Sequence, residues 1–303
     1  MSKKIVTGKQ ELILLLLYIF RFLNSRQIQE FLGHKDHRRI NSWLKDLEKK
    51  DYIVKDFKPI FGTLTKPAVC FLTAKGRGYI QHGYEYYFPK YLKRIARDNK
   101  ASKSFRIRCQ ITADWYLTLF PIEAKQLRNS EDVRDKKINT KTGITIVDYI
   151  KKILLENVPD EEKIPMNTLQ FITPSYFPDF ILLEKIKPDA YIRKRTGSKT
   201  THGFLFVLDA YIPRLFLRYL VQRIFTTIDE EYWEEDSIHS LQFYILCPNN
   251  MIIIYLRRLL PSFLEKYYGG KPVQFHFATR NQLYKRKEGK SENIKWITIS
   301  SED

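Results

Sequence analysis

Between Lys35 and Lys49 the chain concentrates side chains suited to reading a nucleic-acid duplex. Arg38, Asn41 and Ser42 carry the donors and acceptors that meet base edges in a groove, and the fork of Arg38 suits the two acceptors of guanine. Lys35, Arg39, Lys45 and Lys49 stand among them as candidate phosphate contacts, with Lys58 and Lys66 further on. Lys90, Lys93, Arg94 and Arg97 then recur at i, i+3, i+4 and i+7, one stripe of a helix, so Lys93, Arg94 and Arg97 form a second phosphate-gripping set. Such a collection recognises a polyanion; it neither makes nor breaks a bond. Bond-making constellations are harder to find. His34 and His37 lie three apart without a third ligand type nearby, so no metal is expected there. Gly76-Arg77-Gly78 lacks the Lys-Ser/Thr ending of a phosphate loop, and no Gly-x-Ser-x-Gly nucleophile turn occurs. No cofactor is expected.

The elements that would hold these groups are legible locally. Asn24-Ser25-Arg26-Gln27 is a capping box, with Leu23 and Ile28 at the positions of a hydrophobic staple. A short amphipathic helix (Ile28, Phe31, Leu32) runs to Gly33. A longer one follows from about Lys35 to Lys50, with Ile40, Trp43, Leu44 and Leu47 as its apolar stripe. Segments 51–58 and 68–72 alternate like strands around a turn rich in Pro and Gly, a wing offering Lys55, Lys58 and Lys66. Thr73 then caps another helix. Helix, helix, basic helix, hairpin, helix is the order of a winged helix-turn-helix.

Charge agrees with that placement. Of a net +18 over 303 residues, the first 110 hold 24 Lys and Arg against 9 Asp and Glu, a balance of +15. A basic first third on a near-neutral body points to double-stranded DNA rather than to a membrane. Three widely spaced cysteines fit a reducing cytoplasm and exclude a Cys-rich zinc site. The apolar run 12–20 is too short to span a bilayer and lacks a cleavage pattern, so it reads as a helix over 8–22. That helix has no polar face. Either neighbours bury it on two sides or it makes a homodimer.

Further on, Tyr84, Tyr86, Tyr87, Phe88 and Tyr91 form an aromatic cluster, and 105–120 reads as a helix entering a second domain. Segment 129–143 is a polar loop or flap and 145–157 is helical. From Asn167 the pattern turns α/β: apolar runs at 169–173 and 180–183, strands at 189–194 and 204–208 joined by a polar turn at 195–203, a helix at 213–228, a strand at 241–247, a helix at 250–268, and strands at 273–277 and 294–299. An acidic run, Glu230, Glu231, Glu234, Glu235 and Asp236, precedes the strand at 241. The expected fold class is α+β, in three parts: a winged helix-turn-helix over 1–85, a basic helical linker and flap over 86–165, and an α/β domain with a mixed sheet over 166–303.

Arg21-Phe22-Leu23-Asn24, Gln27-Ile28, Leu44-x-x-Leu47, Tyr52-Ile53 and Phe71-Leu72-Thr73-x-x-Gly76 together resemble the opening of the replication-relaxation family, associated with plasmids and integrative elements. The resemblance spans about residues 8–260 and implies a C-terminal domain like a divergent PD-(D/E)xK nuclease. Its Pro-Asp, hairpin, acidic motif matches Pro188-Asp189 and Asp209. Such a nuclease holds a divalent cation on two carboxylates and activates water beside a lysine. Here the lysine position is Tyr211, and Lys194 and Lys199 are displaced along the hairpin, so Asp189 and Asp209 are read as vestigial. The reading favoured is a cytoplasmic double-stranded-DNA-binding protein of a mobile element, controlling replication, transfer or transcription. Its partners would be a second copy and replication or transfer proteins. The alternatives are a metal-dependent endonuclease using Asp189 and Asp209, and an interaction scaffold without DNA specificity.

Overall fold

A computed structural model describes residues 6–56, 67–84, 98–119, 169–173, 181–196, 199–229, 238–267, 272–284 and 294–301. The chain divides into two compact units, 1–156 and 157–303.

In the first unit the order is α1 (Gly8–Phe20), β1 (Leu23–Asn24), α2 (Ser25–Leu32), α3 (His37–Lys49), β2 (Ile53–Asp56), β3 (Val69–Leu72), α4 (Ala74–Tyr84) and α5 (Lys103–Leu119). β1 and β2 both pair antiparallel with β3, giving a three-stranded sheet in the order β1-β3-β2. The capping box forms as expected: Asn24 accepts from the amides of Arg26 and Gln27, and Gln27 Oε1 accepts the Asn24 amide at 3.0 Å. Gly33 ends α2 with φ 59°, a left-handed C-cap that suits glycine.

α1 is buried along almost its whole length, with Leu12, Ile13, Leu14, Leu15, Leu17 and Tyr18 nearly inaccessible. It packs against β3, α2, α3, α4 and α5. Its lack of a polar face is therefore met within one chain, and the apolar run supplies no separate reason for a dimer. α5, expected to lead into a second domain, instead closes over α1, α2 and β1. Gln27 ties it down, donating from Nε2 to the Gln110 carbonyl at 2.8 Å and to Asp114 at 2.7 Å. The cap residue of α2 thus also anchors α5.

Two contacts give structural roles to Gly76 and Arg21. Thr73 caps α4 by accepting the Gly76 amide at 3.0 Å, while its own amide donates to the Tyr52 carbonyl at 3.0 Å. That brings α4 so close to Tyr52 that a Cβ at Gly76 would stand 2.1 Å from the same carbonyl oxygen. Only glycine fits. Arg21 pairs with the buried Asp98, and burial still pushes that carboxyl above its ordinary range despite the guanidinium. Arg106, on α5, binds Asp56 at 2.6 Å and lies over the rings of Phe22 and Phe71.

The second unit carries a six-stranded mixed sheet among the described residues, in the order β4-β5-β6-β7-β8-β9. Its strands are β4 (Leu169–Ile172), β5 (Ala190–Thr196), β6 (Lys199–Val207), β7 (Ile238–Cys247), β8 (Val273–Thr279) and β9 (Ile297–Ser300). β6, β7 and β8 run parallel, and the flanking pairs are antiparallel. α6 (Ile181–Ile186) precedes the hairpin, α7 (Arg214–Asp229) crosses from β6 to β7, and α8 (Asn250–Leu259) and α9 (Pro261–Leu264) cross from β7 to β8; α10 (Arg280–Tyr284) follows β8. Phe204, Phe243 and Phe275 stand opposite one another and stack at 5.1 and 4.9 Å, with Phe225 of α7 on Phe275 at 5.7 Å.

Three expectations change here. The polar stretch 195–203 is paired strand over most of its length, Lys194 opposite Thr201 and Thr196 opposite Lys199, because alternation rather than polarity decides strand formation on a half-exposed hairpin. The described part of the apolar run at 180–183 begins helix α6 at Ile181. The single helix at 250–268 is two, broken where Pro261 removes an amide donor. Burial pushes the Cys70 and Cys247 thiols up to about 12, which keeps both neutral. No described helix is long and apolar enough to cross a membrane.

Candidate nucleic-acid interface

α3 begins where the Asp36 side chain accepts the Arg38 amide at 2.8 Å. Its inner stripe, Ile40, Leu44 and Leu47, is fully buried against α1 and α2 and against β2, which fixes the rotation of the helix about its axis. With 3.6 residues per turn, Arg38, Asn41, Ser42, Lys45 and Lys49 then fall on the opposite side. All five are exposed, as are Arg39 on the flank and Lys35 just before the helix.

The charges of α3 are sorted by sign. Asp46 accepts from Gln10 of α1 at 2.6 Å and pairs with Lys50. Glu48 lies 3.8 Å from Lys55 on β2. Asp36 caps the helix. The acids are thus engaged with the scaffold, whereas no described residue pairs with the side chains of Arg38, Arg39, Lys45 or Lys49. An outer face of uncompensated cations attracts a polyanion without first breaking internal ion pairs. Lys55, expected to be open to phosphate, is engaged with Glu48. Lys75, in turn, donates to the Lys50 carbonyl at 2.7 Å above the Tyr52 ring.

His37 is the residue on this face that sequence reasoning missed. One ring nitrogen lies 3.3 Å from Ser25 Oγ and the other 3.1 Å from Asn41 Nδ2, linking the start of α2 to the outer face of α3. The signal was present as an i, i+4 spacing to Asn41. Both of its nitrogens are engaged, and His34 Nδ1 accepts the Asp36 amide at 3.1 Å, so the two histidines are oriented by protein groups. The remaining sequence-derived contacts, Lys58, Lys66, Lys93, Arg94 and Arg97, lie outside the described residues, as does most of the aromatic cluster.

In the second unit Asp189 closes one end of the hairpin. Its amide donates to the Leu205 carbonyl at 2.7 Å, and its Oδ2 accepts the Val207 amide at 2.8 Å. Asp209 follows two residues beyond β6 and is half-buried. Lys194 and Lys199 sit at the other end of β5 and β6: Lys194 is five residues or ~16 Å from Asp189, and Lys199, opposite Thr196, is level with a position seven residues or ~23 Å away. Tyr211, at the expected lysine position, is 96% exposed. The hairpin therefore brings the two aspartates to one end and leaves both lysines at the other.

A family model described as replication-relaxation matches residues 14–210, which is 197 of the 303 residues. No curated protein and no solved structure gives a match.

Proposed function

We propose a function from one premise: the chain belongs to the replication-relaxation family. On that premise it acts in the replication or transfer of a plasmid or other mobile element, by binding double-stranded DNA inside the cell and controlling those events or the transcription tied to them. The first unit is read as a winged helix-turn-helix, with α2 and α3 as the helix pair and β2–β3 as the wing. The observation that carries the reading is the outer face of α3, where exposed Arg38, Arg39, Lys45 and Lys49 surround Asn41 and Ser42 without an opposing acid.

In this reading Arg38, Asn41 and Ser42 meet base edges in the major groove and the lysines grip phosphate. The far placement of Lys194 and Lys199 favours a reader over a nuclease that would use Asp189 and Asp209. The test is footprinting on DNA fragments from the element that encodes the chain. Arg38→Ala should weaken the specific site by about 1–3 kcal/mol, whereas Lys49→Ala should weaken all duplexes alike. A footprint unchanged by Arg38→Ala would remove α3 from the recognition role. Magnesium- or manganese-dependent cleavage of plasmid that disappears in Asp209→Ala would replace the reader with a nuclease.

A further inference from the structure

His37 opens α3 and stands between two groups in different surroundings. On one side is Ser25, the first residue of α2, whose hydroxyl oxygen lies 3.3 Å from the ring's Nε2. On the other is Asn41, one turn along α3, whose amide nitrogen lies 3.1 Å from Nδ1. Ser25 is buried, whereas His37 and Asn41 are exposed. The position of Ser25 is well determined: it follows the capping residue Asn24, and Gln27 of the same turn is tied to α5. The ring therefore connects a fixed point of the scaffold to a side chain on the outer face.

Chemistry sets the direction of both contacts. An amide nitrogen only donates, so Nδ1 is the acceptor and carries no hydrogen. In the neutral ring the hydrogen is then on Nε2, which donates to Ser25 Oγ. One of the two N–H bonds of Asn41 is spent on the ring. Its second N–H and its carbonyl oxygen remain, and among the described residues nothing else engages them. Turning the amide over would set its oxygen against the lone pair of Nδ1. Without the ring, the last torsion of an exposed asparagine has two orientations to choose from.

We propose that His37 is a positioning residue that determines specificity: it fixes the Asn41 amide so that α3 reads adenine at the base pair Asn41 meets. In the major groove adenine offers the N7 acceptor beside the N6 donor, which matches one N–H beside one carbonyl oxygen. Guanine offers two acceptors there, and its O6 would face the Asn41 oxygen. Holding the amide before contact removes the ordering that binding would otherwise have to supply. The inference rests on the reading of α3 as the recognition helix. A ring that only linked α2 to α3 would act on every base alike.

The test is selection of bound duplexes from a pool with a randomised core, using the full chain at one salt concentration. Wild type should select adenine at a position that becomes degenerate in Asn41→Ala, which assigns that position to Asn41. His37→Leu has no acceptor, and should cut the preference for adenine over guanine there at least ~fivefold, with the other positions and the circular-dichroism spectrum unchanged. His37→Asn, whose side-chain oxygen can take the place of Nδ1, should restore the preference. A wild-type chain that selects no sequence removes the recognition role of α3 and this inference with it. A selected sequence indifferent to Asn41→Ala, or one with guanine at the assigned position, overturns this inference alone. So does a preference that survives His37→Leu, or one lost equally in His37→Leu and His37→Asn.

Discussion

α3 and α7 share an inner design and differ on the outside. Each buries one apolar stripe, Ile40, Leu44 and Leu47 in the first and Leu217, Val221, Ile224 and Ile228 in the second. The outer face of α3 is polar and cationic with no large apolar group in the open; that of α7 mixes arginine with Leu215, Phe216 and Tyr219. A phosphate backbone is bound by charge that stays hydrated until contact, and bare rings there would gain little from a duplex. A protein partner supplies apolar surface to bury, and arginine tolerates the rim of such a contact. The same helical scaffold thus carries a hydrated cationic face in one unit and a mixed aromatic and arginine face in the other.

The largest expected effect comes from the support beneath α3. Arg21→Ala leaves Asp98 buried without its cation, and breaking a buried pair from one side costs about 3–5 kcal/mol. Hydrogen exchange should show the amides of α1 to α5 losing protection and duplex binding falling with them. Exchange protection of β6, β7 and β8 in the second unit should persist. If Arg21→Ala abolished both, the two faces would not be separable in the way the comparison requires.

A smaller, reciprocal pair of variants tests the outer faces alone. Lys45→Ala removes one exposed cation and Phe216→Ser one exposed ring, so neither should change unfolding free energy by more than about 0.5 kcal/mol. Lys45→Ala should reduce the slope of log K against log salt for duplex binding by roughly one and leave sedimentation unchanged. Phe216→Ser should leave that slope unchanged. A single variant that moved both readings would merge the two surfaces.

How much of this was legible beforehand follows from how local each cause is. The helix boundaries near Asn24, Gly33 and Thr73 are set by side chains that bond within three residues, and the sequence states those residues directly. The outward set on α3 was readable for a related reason, since a strict apolar period leaves the opposite side determined. Arg21–Asp98, Arg106–Asp56 and Gln27–Asp114 bring together residues 77, 50 and 87 positions apart, and no periodicity encodes them. The scaffold role of Arg106 is therefore not visible in the sequence. In the second unit the 195–203 stretch misled because its polar residues alternate in a strand that turn chemistry alone does not reveal. The exposed face of α7 was invisible for a further reason: Leu215 and Phe216 look like core in the sequence, yet both are more than half exposed.

The smallest expected effect concerns pH, where the two units are expected to respond with opposite sign. Asp98, in the first, has its carboxyl raised by burial even beside Arg21. The folded form holds that proton more tightly than the unfolded one, so the group favours folding at pH below its ordinary value and loses that contribution as pH rises through the raised one. His276, in the second, is lowered by burial. It stacks on Tyr244 at 4.8 Å, its Nδ1 lies 3.0 Å from Thr298 Oγ1, and its buried Nε2 meets no hydrogen-bond partner among the described residues. A proton added there would find no acceptor. The contribution of His276 is therefore present above about pH 6.5, the ordinary value, and is lost as pH falls through the lowered one. Exchange protection of β7 and β8 should accordingly decline as pH falls below about 6.5, and His276→Gln, which cannot take the proton, should flatten the decline. Protection of α1 and β3 should not follow the same curve. A common decline in both units, untouched by His276→Gln, would mean that acid acts on the chain as a whole and that the two faces do not rest on independently titrating scaffolds.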